Sequence, residues 1–531
     1  MPVLLSLFPI VFLIYLMTKK KSVPSFRALP IVAVILYLLK LTYFGADANL
    51  VNASVVSGLL TALVPISIIW GAIFFFKTME YTGAMDTIRT WLNGVTTNKV
   101  AQAMIVGWAF AFLIEGASGF GTPAAIAAPI LVGLGFPAVR VAMLCLIMNS
   151  VPVHFGAVGT PGWFGLGQLP GIGHEQLLDI GFRAAIIHSV AALVIPVIAL
   201  TFALSFAEVK KNILFVYLSI LSTMIPYLIA ARFDYEFPSV VAGTVGLIFS
   251  VVIAKQGIGL VREEGSKGPN SISIPALIKA SFPLWGTVII LLLTRIKQIG
   301  IKPLLTGSNT WIEASLGTLG DFSLSSSLVI TLKTIFGTDT DWKYQILYVP
   351  SLVPFIFISV ITFFMFKANK EAISRTVSES FLQMQKPVIA LLAALVFVKL
   401  LMLKTPGVEA NTILIGKALA DTMGAQWQFF ASYLGALGAF FSGSNTVSNL
   451  TFGGIQLAIA KDLGLHTNTI LAMQSVGGSM GNMVCINNIV AVCSVLGLSA
   501  QEGFIMKRTV VPMLIYGIIA GIVGYILSQA L

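Results

Sequence analysis

Charge is scarce in this chain: only 10% of its 531 residues are Asp, Glu, Lys or Arg, where a soluble domain carries about 25%. The three cysteines, Cys145, Cys485 and Cys493, lie in apolar or small-residue stretches without CxxC spacing. That excludes a disulfide framework and structural zinc, and they read as small buried hydrophobes. There is no GxxxxGK loop, no HExxH and no dinucleotide fingerprint, so ATP hydrolysis and nicotinamide chemistry have no support, and neither metal nor cofactor is expected. Rings of repeated charge and a symmetric filter sequence are also missing, which argues against a channel.

Apolar residues fill the space that charge leaves. They make up 57% of the chain, and the mean hydropathy is +0.94. Folding in water cannot hide so much apolar surface, so the bilayer is the solvent, and runs of roughly 20 apolar residues recur from end to end. The reading is an all-α polytopic membrane protein of about 12 to 14 spans with no separate soluble domain. The net charge of +11 sits between apolar runs, as the positive-inside rule requires, and does not indicate nucleic acid. The polar stretches around Lys77 to Lys99, Lys255 to Lys279 and Lys367 to Lys386 are placed inside, and the short acidic loops at Asp47 and at Asp234–Glu236 outside. Pro2 to Met17 is followed by Lys19, Lys20 and Lys21, the reverse of a signal peptide, and reads as a first span entering from outside. Between Arg295 and Tyr344 short apolar runs alternate with lysines and the pattern assigns no span. Gly517 and Gly521 stand at GxxxG spacing, which serves packing within the subunit or a homo-oligomer face.

Two regions interrupt the spanning pattern with small polar residues. One reads Glu115-Gly116-Ala117-Ser118-Gly119-Phe120-Gly121-Thr122-Pro123 and runs on to Leu134-Gly135; the other reads Phe441-Ser442-Gly443-Ser444-Asn445-Thr446-Val447-Ser448-Asn449 and runs on to Leu463-Gly464. Each is followed by a helical stretch and a second Gly-rich polar run, Asn149 to Pro161 and Gly477 to Asn488. The order of features repeats, which divides the chain into halves of approximately 1–255 and 275–531 with inverted topology. Paired interruptions of this kind mark broken or re-entrant helices, and in transporters they mark the binding site. Broken helices turn free N–H groups and a positive dipole end toward a cavity, the environment a carboxylate needs. Ser118, Gly119, Gly121, Thr122, Ser444, Asn445 and Thr446 are therefore the substrate-binding candidates. Ionisable groups among apolar residues add Glu115 and His154 as proton-handling candidates. Arg140 either neutralises substrate charge or snorkels to the interface. Asp421 pairs with a cation or a substrate hydroxyl.

At these residues the chain resembles the lactate permease family. EGASGFGTPAAIAAPILVGLGFPAVR from Glu115, NSVPVHFGAVGTP from Asn149, GSMGNMVCINNIVA from Gly478 and EGFIMKRT from Glu502 are similar to that family's sequence, and the likeness extends over nearly the whole chain. The resemblance implies a secondary transporter, not an enzyme, in the bacterial plasma (inner) membrane. It also implies import of L-lactate, with D-lactate and glycolate as further substrates, by proton symport. A sodium-coupled carboxylate or anion transporter is the alternative. An intramembrane serine protease built on Gly116-Ala117-Ser118-Gly119 is a third reading, and it leaves the second interruption unexplained.

Overall fold

The computed structural model describes residues 1–19, 23–119, 122–261, 272–295, 300–349, 352–404, 407, 409–498 and 501–530. The chain forms two compact units, Met1–Gly83 with Ser281–Thr422, and Ala84–Ala280 with Met423–Leu531. Each draws one segment from either half of the sequence.

The first unit holds the helices Pro2–Thr18, Ser25–Thr42, Ala48–Thr61, Leu63–Tyr81, Val353–Met365, Lys370–Met402 and most of Asn411–Met423. It also contains what the sequence pattern leaves unassigned, a four-stranded antiparallel sheet in the order β1 (Thr310–Ser315), β2 (Asp321–Ser325), β3 (Val329–Lys333), β4 (Trp342–Gln345). Its strands are too short for a helix period, and one face is anchored by Leu332, Trp342 and Tyr344, all buried. Lys40, 1% exposed, donates to Leu403 O at 2.8 Å and so satisfies a carbonyl at the end of Lys370–Met402.

The second unit carries both interruptions. Its helices are α1 (Lys99–Ser118), α2 (Thr122–Gly133), α3 (Ala138–Met148), α4 (His174–Ala192), α5 (Ile195–Ala203), α6 (Phe206–Lys211), α7 (Ile213–Phe233), α8 (Pro238–Lys255), α9 (Trp427–Ser442), α10 (Asn445–Asp462), α11 (Thr467–Gly481), α12 (Ile486–Val495) and α13 (Glu502–Ala530). Between α3 and α4 the short segment Pro152–Leu166 continues α3 at a bend of 63°.

Among the described residues seven helices are long and apolar enough to cross a membrane, or nine when the bent pairs α3 with Pro152–Leu166 and α4 with α5 each count as one. The larger number expected from sequence counts further apolar runs. Pro2–Leu16 and Val353–Met365 are short apolar helices, and α2 and α9 are hairpin arms of 12 and 16 residues.

Hydrogen bonds fix the direction of the two hairpins. Lys99 Nζ bonds to Leu134 O, so α1 and α2 begin and end at one level, and Asn98 Nδ2 donates to Asn212 Oδ1 at 3.2 Å, which places that level beyond α5 at the start of α7. At the other end of the unit, Arg183 in α4 donates to Thr469 Oγ1 at 2.9 Å and to Leu527 O at 3.1 Å, and Asn468 Nδ2 donates to Asp179 Oδ2 at 2.8 Å. Those bonds put the turn between α10 and α11 beside the outer part of α4 and the C-terminus of α13. The α1–α2 and α9–α10 hairpins thus enter from opposite ends of the unit.

Small residues let these helices touch. Gly116 lies where a Cβ would come 2.5 Å from Val240 N, and Gly243 packs its α-carbon on the Leu113 backbone, so α1 and α8 meet without intervening side chains. Gly517 and Gly521 face Tyr433 and Phe429 of α9, which gives the GxxxG spacing a packing role inside the chain. Gly243→Leu, which drives a side chain into the Leu113 backbone, is expected to lower stability by at least the about 1–3 kcal/mol of an overpacked core. Thermal unfolding followed by fluorescence-detected size exclusion measures this, and an unchanged midpoint would contradict the packing described.

Candidate functional site

The helices stop at the interruptions for local reasons. Gly119 ends α1 at φ 63°, a conformation that penalises any side chain, and a Cβ there would stand 2.9 Å from the Ala157 Cβ. Gly443 ends α9 at φ 74°, and the next residue, Ser444, caps α10 by accepting from Val447 N at 3.3 Å. The second polar run of the first half also breaks. Ala157, Val158 and Gly159 stand in succession at φ 44°, 55° and 71° inside Pro152–Leu166. For Ala and Val this left-handed geometry costs about 1–2 kcal/mol per residue, and such strain collects at functional sites.

The tips meet at a cavity of about 20 Å³, room for roughly one water. On the first-half side Glu115, Gly119, Val153, Gly156, Ala157 and Pro161 line it. Gly443, Ser444, Asn445, Thr446 and Asn482 line it from the second half. Because Ser444 to Thr446 form the start of α10, the positive end of that helix opens here, and its first turn contains no acid.

Glu115 is 2% exposed. Its Oε2 accepts from Asn149 Nδ2 at 3.1 Å, and among the described residues no Lys, Arg or His lies within ion-pair distance of it. His154 is buried just behind the cavity. Ser475 Oγ accepts from Asn449 Nδ2 at 2.8 Å and lies 2.6 Å from His154 Nδ1. Asn449 Nδ2 also donates to Pro161 O at 2.9 Å. Asn445 Nδ2 donates to Ser475 O at 3.0 Å and Ser479 Oγ at 2.9 Å. Its Oδ1, pressed against Gly478, accepts from no described donor, nor does Asn482 Oδ1.

The structure therefore groups Glu115, Gly119, Ser444, Asn445 and Thr446 around one cavity, with His154 in the adjoining network. Ser118 is buried, but its hydroxyl donates to Ile114 O at 2.8 Å within its own helix and bonds to no histidine, which leaves the serine-protease reading without a nucleophile–base pair. Thr122 opens α2, and Gly121 lies outside the described residues. Arg140 is exposed on the first turn of α3 and lines a different cleft. Asp421 is exposed in the first unit and does not line the cavity. Three residues of the network, Asn149, Ser475 and Asn482, are not candidates on sequence. Asn149 and Asn482 stand in the second polar runs, where they signal; Ser475 has no local signal, since its partners are 26 and 321 residues away.

The family model described as L-lactate permease matches residues 2–531. The chain belongs to the L-lactate permease family. It is a multi-pass permease of the inner membrane and not an enzyme. A putative L-lactate permease of Haemophilus influenzae is 49% identical over 519 residues, 98% of this chain and 97% of that one. An L-lactate permease of Salmonella typhimurium is 27% identical over 557 residues, covering 99% and 96%. Among solved structures, Neisseria gonorrhoeae MtrF, from a class of antimetabolite efflux pumps, aligns over 99% of this chain and 98% of its own with a TM-score of 0.44 and 13% identity.

Ser475→Ala removes the group that joins His154 to Asn449 and leaves a buried amide N–H and a ring nitrogen unpaired. The permease should lose about 1–3 kcal/mol of stability, read as a lowered unfolding midpoint in detergent. No change would mean that the network is dispensable to the fold.

Proposed function

We propose that the permease imports lactate together with a proton, with the cavity between the hairpin tips as the site. The observation that carries this reading is Glu115, a carboxyl group buried at the cavity with only the Asn149 amide as partner among the described residues. A buried carboxylate without a counter-charge is expensive, so this group takes a proton or a cation as its companion. Lactate's carboxylate is then held by the free N–H groups at the start of α10, with Ser444 and Asn445 reading the 2-hydroxyl. D-lactate and glycolate carry the same 2-hydroxy carboxylate and fit the same donors. The cavity is smaller than lactate, so binding and release require the tips to part.

Coupling follows from charge. A monocarboxylate entering a negative interior is opposed by about 2.3 kcal/mol per 100 mV, and one accompanying proton removes the penalty. An acid at Glu115 and an anion beside it favour each other, and by reciprocity each tightens the other's binding equally. Glu115→Gln, which mimics the protonated form, should keep exchange of labelled lactate in proteoliposomes yet lose accumulation driven by a pH gradient. Accumulation like the parent's would make Glu115 structural and His154 the next residue to test. Propionate, which lacks the 2-hydroxyl, should compete less well than lactate; equal competition would remove the assignment of Ser444 and Asn445.

Sodium coupling is the second reading, favoured by Asn445 and Asn482, which line the cavity with Glu115 and whose side-chain oxygens have no partner among the described residues. Uptake in a proton gradient without sodium, and in a sodium gradient without a pH difference, separates the two.

A further inference from the structure

Arg140 lies away from the hairpin tips, in a cleft of about 730 Å³ that it lines with Arg508. The cleft sits where α3, α5 and α13 pack against one another. Val139, Met143, Phe202 and Phe504 give it an apolar wall. The Arg508 guanidinium lies over the Phe504 ring, 5.1 Å from its centre, so one cation is held at the edge of the apolar wall by its ring contact. Among the described residues neither arginine pairs with a carboxylate. The charged groups of α3, α6 and α13 are Arg140, Lys210, Lys211, Lys507 and Arg508 against Glu208 and Glu502. Glu208 is engaged by the Ser205 N–H at 2.9 Å and the Ser205 hydroxyl at 2.6 Å, and Glu502 does not line the cleft.

The level of the cleft is set by the bonds already described. Arg140 follows the turn at Leu134, which Lys99 binds, and Lys210 and Lys211 precede Asn212, which Asn98 binds. Lys99 and Lys255 begin and end helices at this level, and by the positive-inside rule it is the cytoplasmic face. That leaflet bears anionic lipid, and paired arginines at the head of an apolar wall match a phosphodiester joined to acyl chains.

We propose that this cleft is a binding site for an anionic phospholipid of the cytoplasmic leaflet, its phosphodiester between Arg140 and Arg508 and an acyl chain along Met143, Phe202 and Phe504. The test is native mass spectrometry of the purified permease titrated with phosphatidylglycerol and, separately, phosphatidylcholine. The parent should prefer phosphatidylglycerol, and R140Q/R508Q should weaken that binding about 25-fold, from roughly fivefold per arginine near the membrane surface, with phosphatidylcholine unaffected. K210Q/K211Q removes exposed charge beside the cleft and should weaken binding less than the arginine pair. An equal loss there, or an unaffected arginine variant, would overturn the site. Inorganic phosphate that displaces the lipid at matched concentration would overturn the lipid assignment in favour of a free anion. Should R140Q/R508Q not fold, photoactivatable phosphatidylglycerol on the parent decides: cross-links are expected at Met143, Phe202 or Phe504, and labelling confined to other surfaces rejects the proposal.

Discussion

Backbone that leaves the helix at membrane depth must find its hydrogen bonds inside the protein, and this constraint organises the second unit. The left-handed turn at Ala157 to Gly159 exposes carbonyls that no helix satisfies. Thr160 Oγ1 donates to Ala157 O at 2.5 Å and the Trp163 indole to Val158 O at 2.9 Å. Ser239 of α8 donates to Pro152 O at 2.8 Å, and Asn449 of α10 to Pro161 O at 2.9 Å. Thr160, Trp163, Ser239 and Asn449 thus serve as the partners of broken backbone near the cavity. In lipid each orphaned group would cost several kcal/mol, so a turn this irregular stands only with such partners around it.

That arrangement ties the two halves of the sequence together at the cavity. The wall formed by Pro152–Leu166 belongs to the first half, but its Pro161 carbonyl and its His154 ring are held by Asn449 and Ser475 of the second. A displacement of α10 or α11 therefore pulls on the wall opposite. Two hairpins entering from opposite ends, with their tips sharing one small cavity, can open toward only one side at a time if these bonds move as a group. In the proposed cycle this arrangement serves as the two-state element that alternating access requires.

The interruptions themselves are legible because Gly, Ser and Asn clustered in an apolar run are poor residues for an unbroken spanning helix, and both helix breaks fall within those runs, at Gly119 and Gly443. The left-handed turn is not legible at its core: Ala157 and Val158 carry no local preference for positive φ, and only tertiary bonds hold them there. Arg140 is ambiguous in sequence for a related reason. An arginine after a hairpin serves a substrate or an interface equally well, and only the packing of α3 against α5 and α13 decides which cavity it lines. The β-sheet is hidden by length, since its strands of four to six residues mix β-branched residues with charges among apolar runs too short to span a bilayer.

The lining of the cavity also bears on how an anion would leave. A fixed Arg or Lys would hold a carboxylate strongly, and transport requires binding weak enough to be reversed on the far side. Here, among the described residues, the lining contains no cation; the attraction available comes from the start of α10 and from neutral amides and hydroxyls. Dipoles of this kind favour an anion by a fraction of what a buried ion pair supplies. In the proposed cycle Glu115 then serves as the variable charge: occupied by a proton it leaves those dipoles unopposed, and once the proton departs to the interior its carboxylate repels the substrate from the same small space. Release follows from loss of the proton, without a strong contact having to be broken.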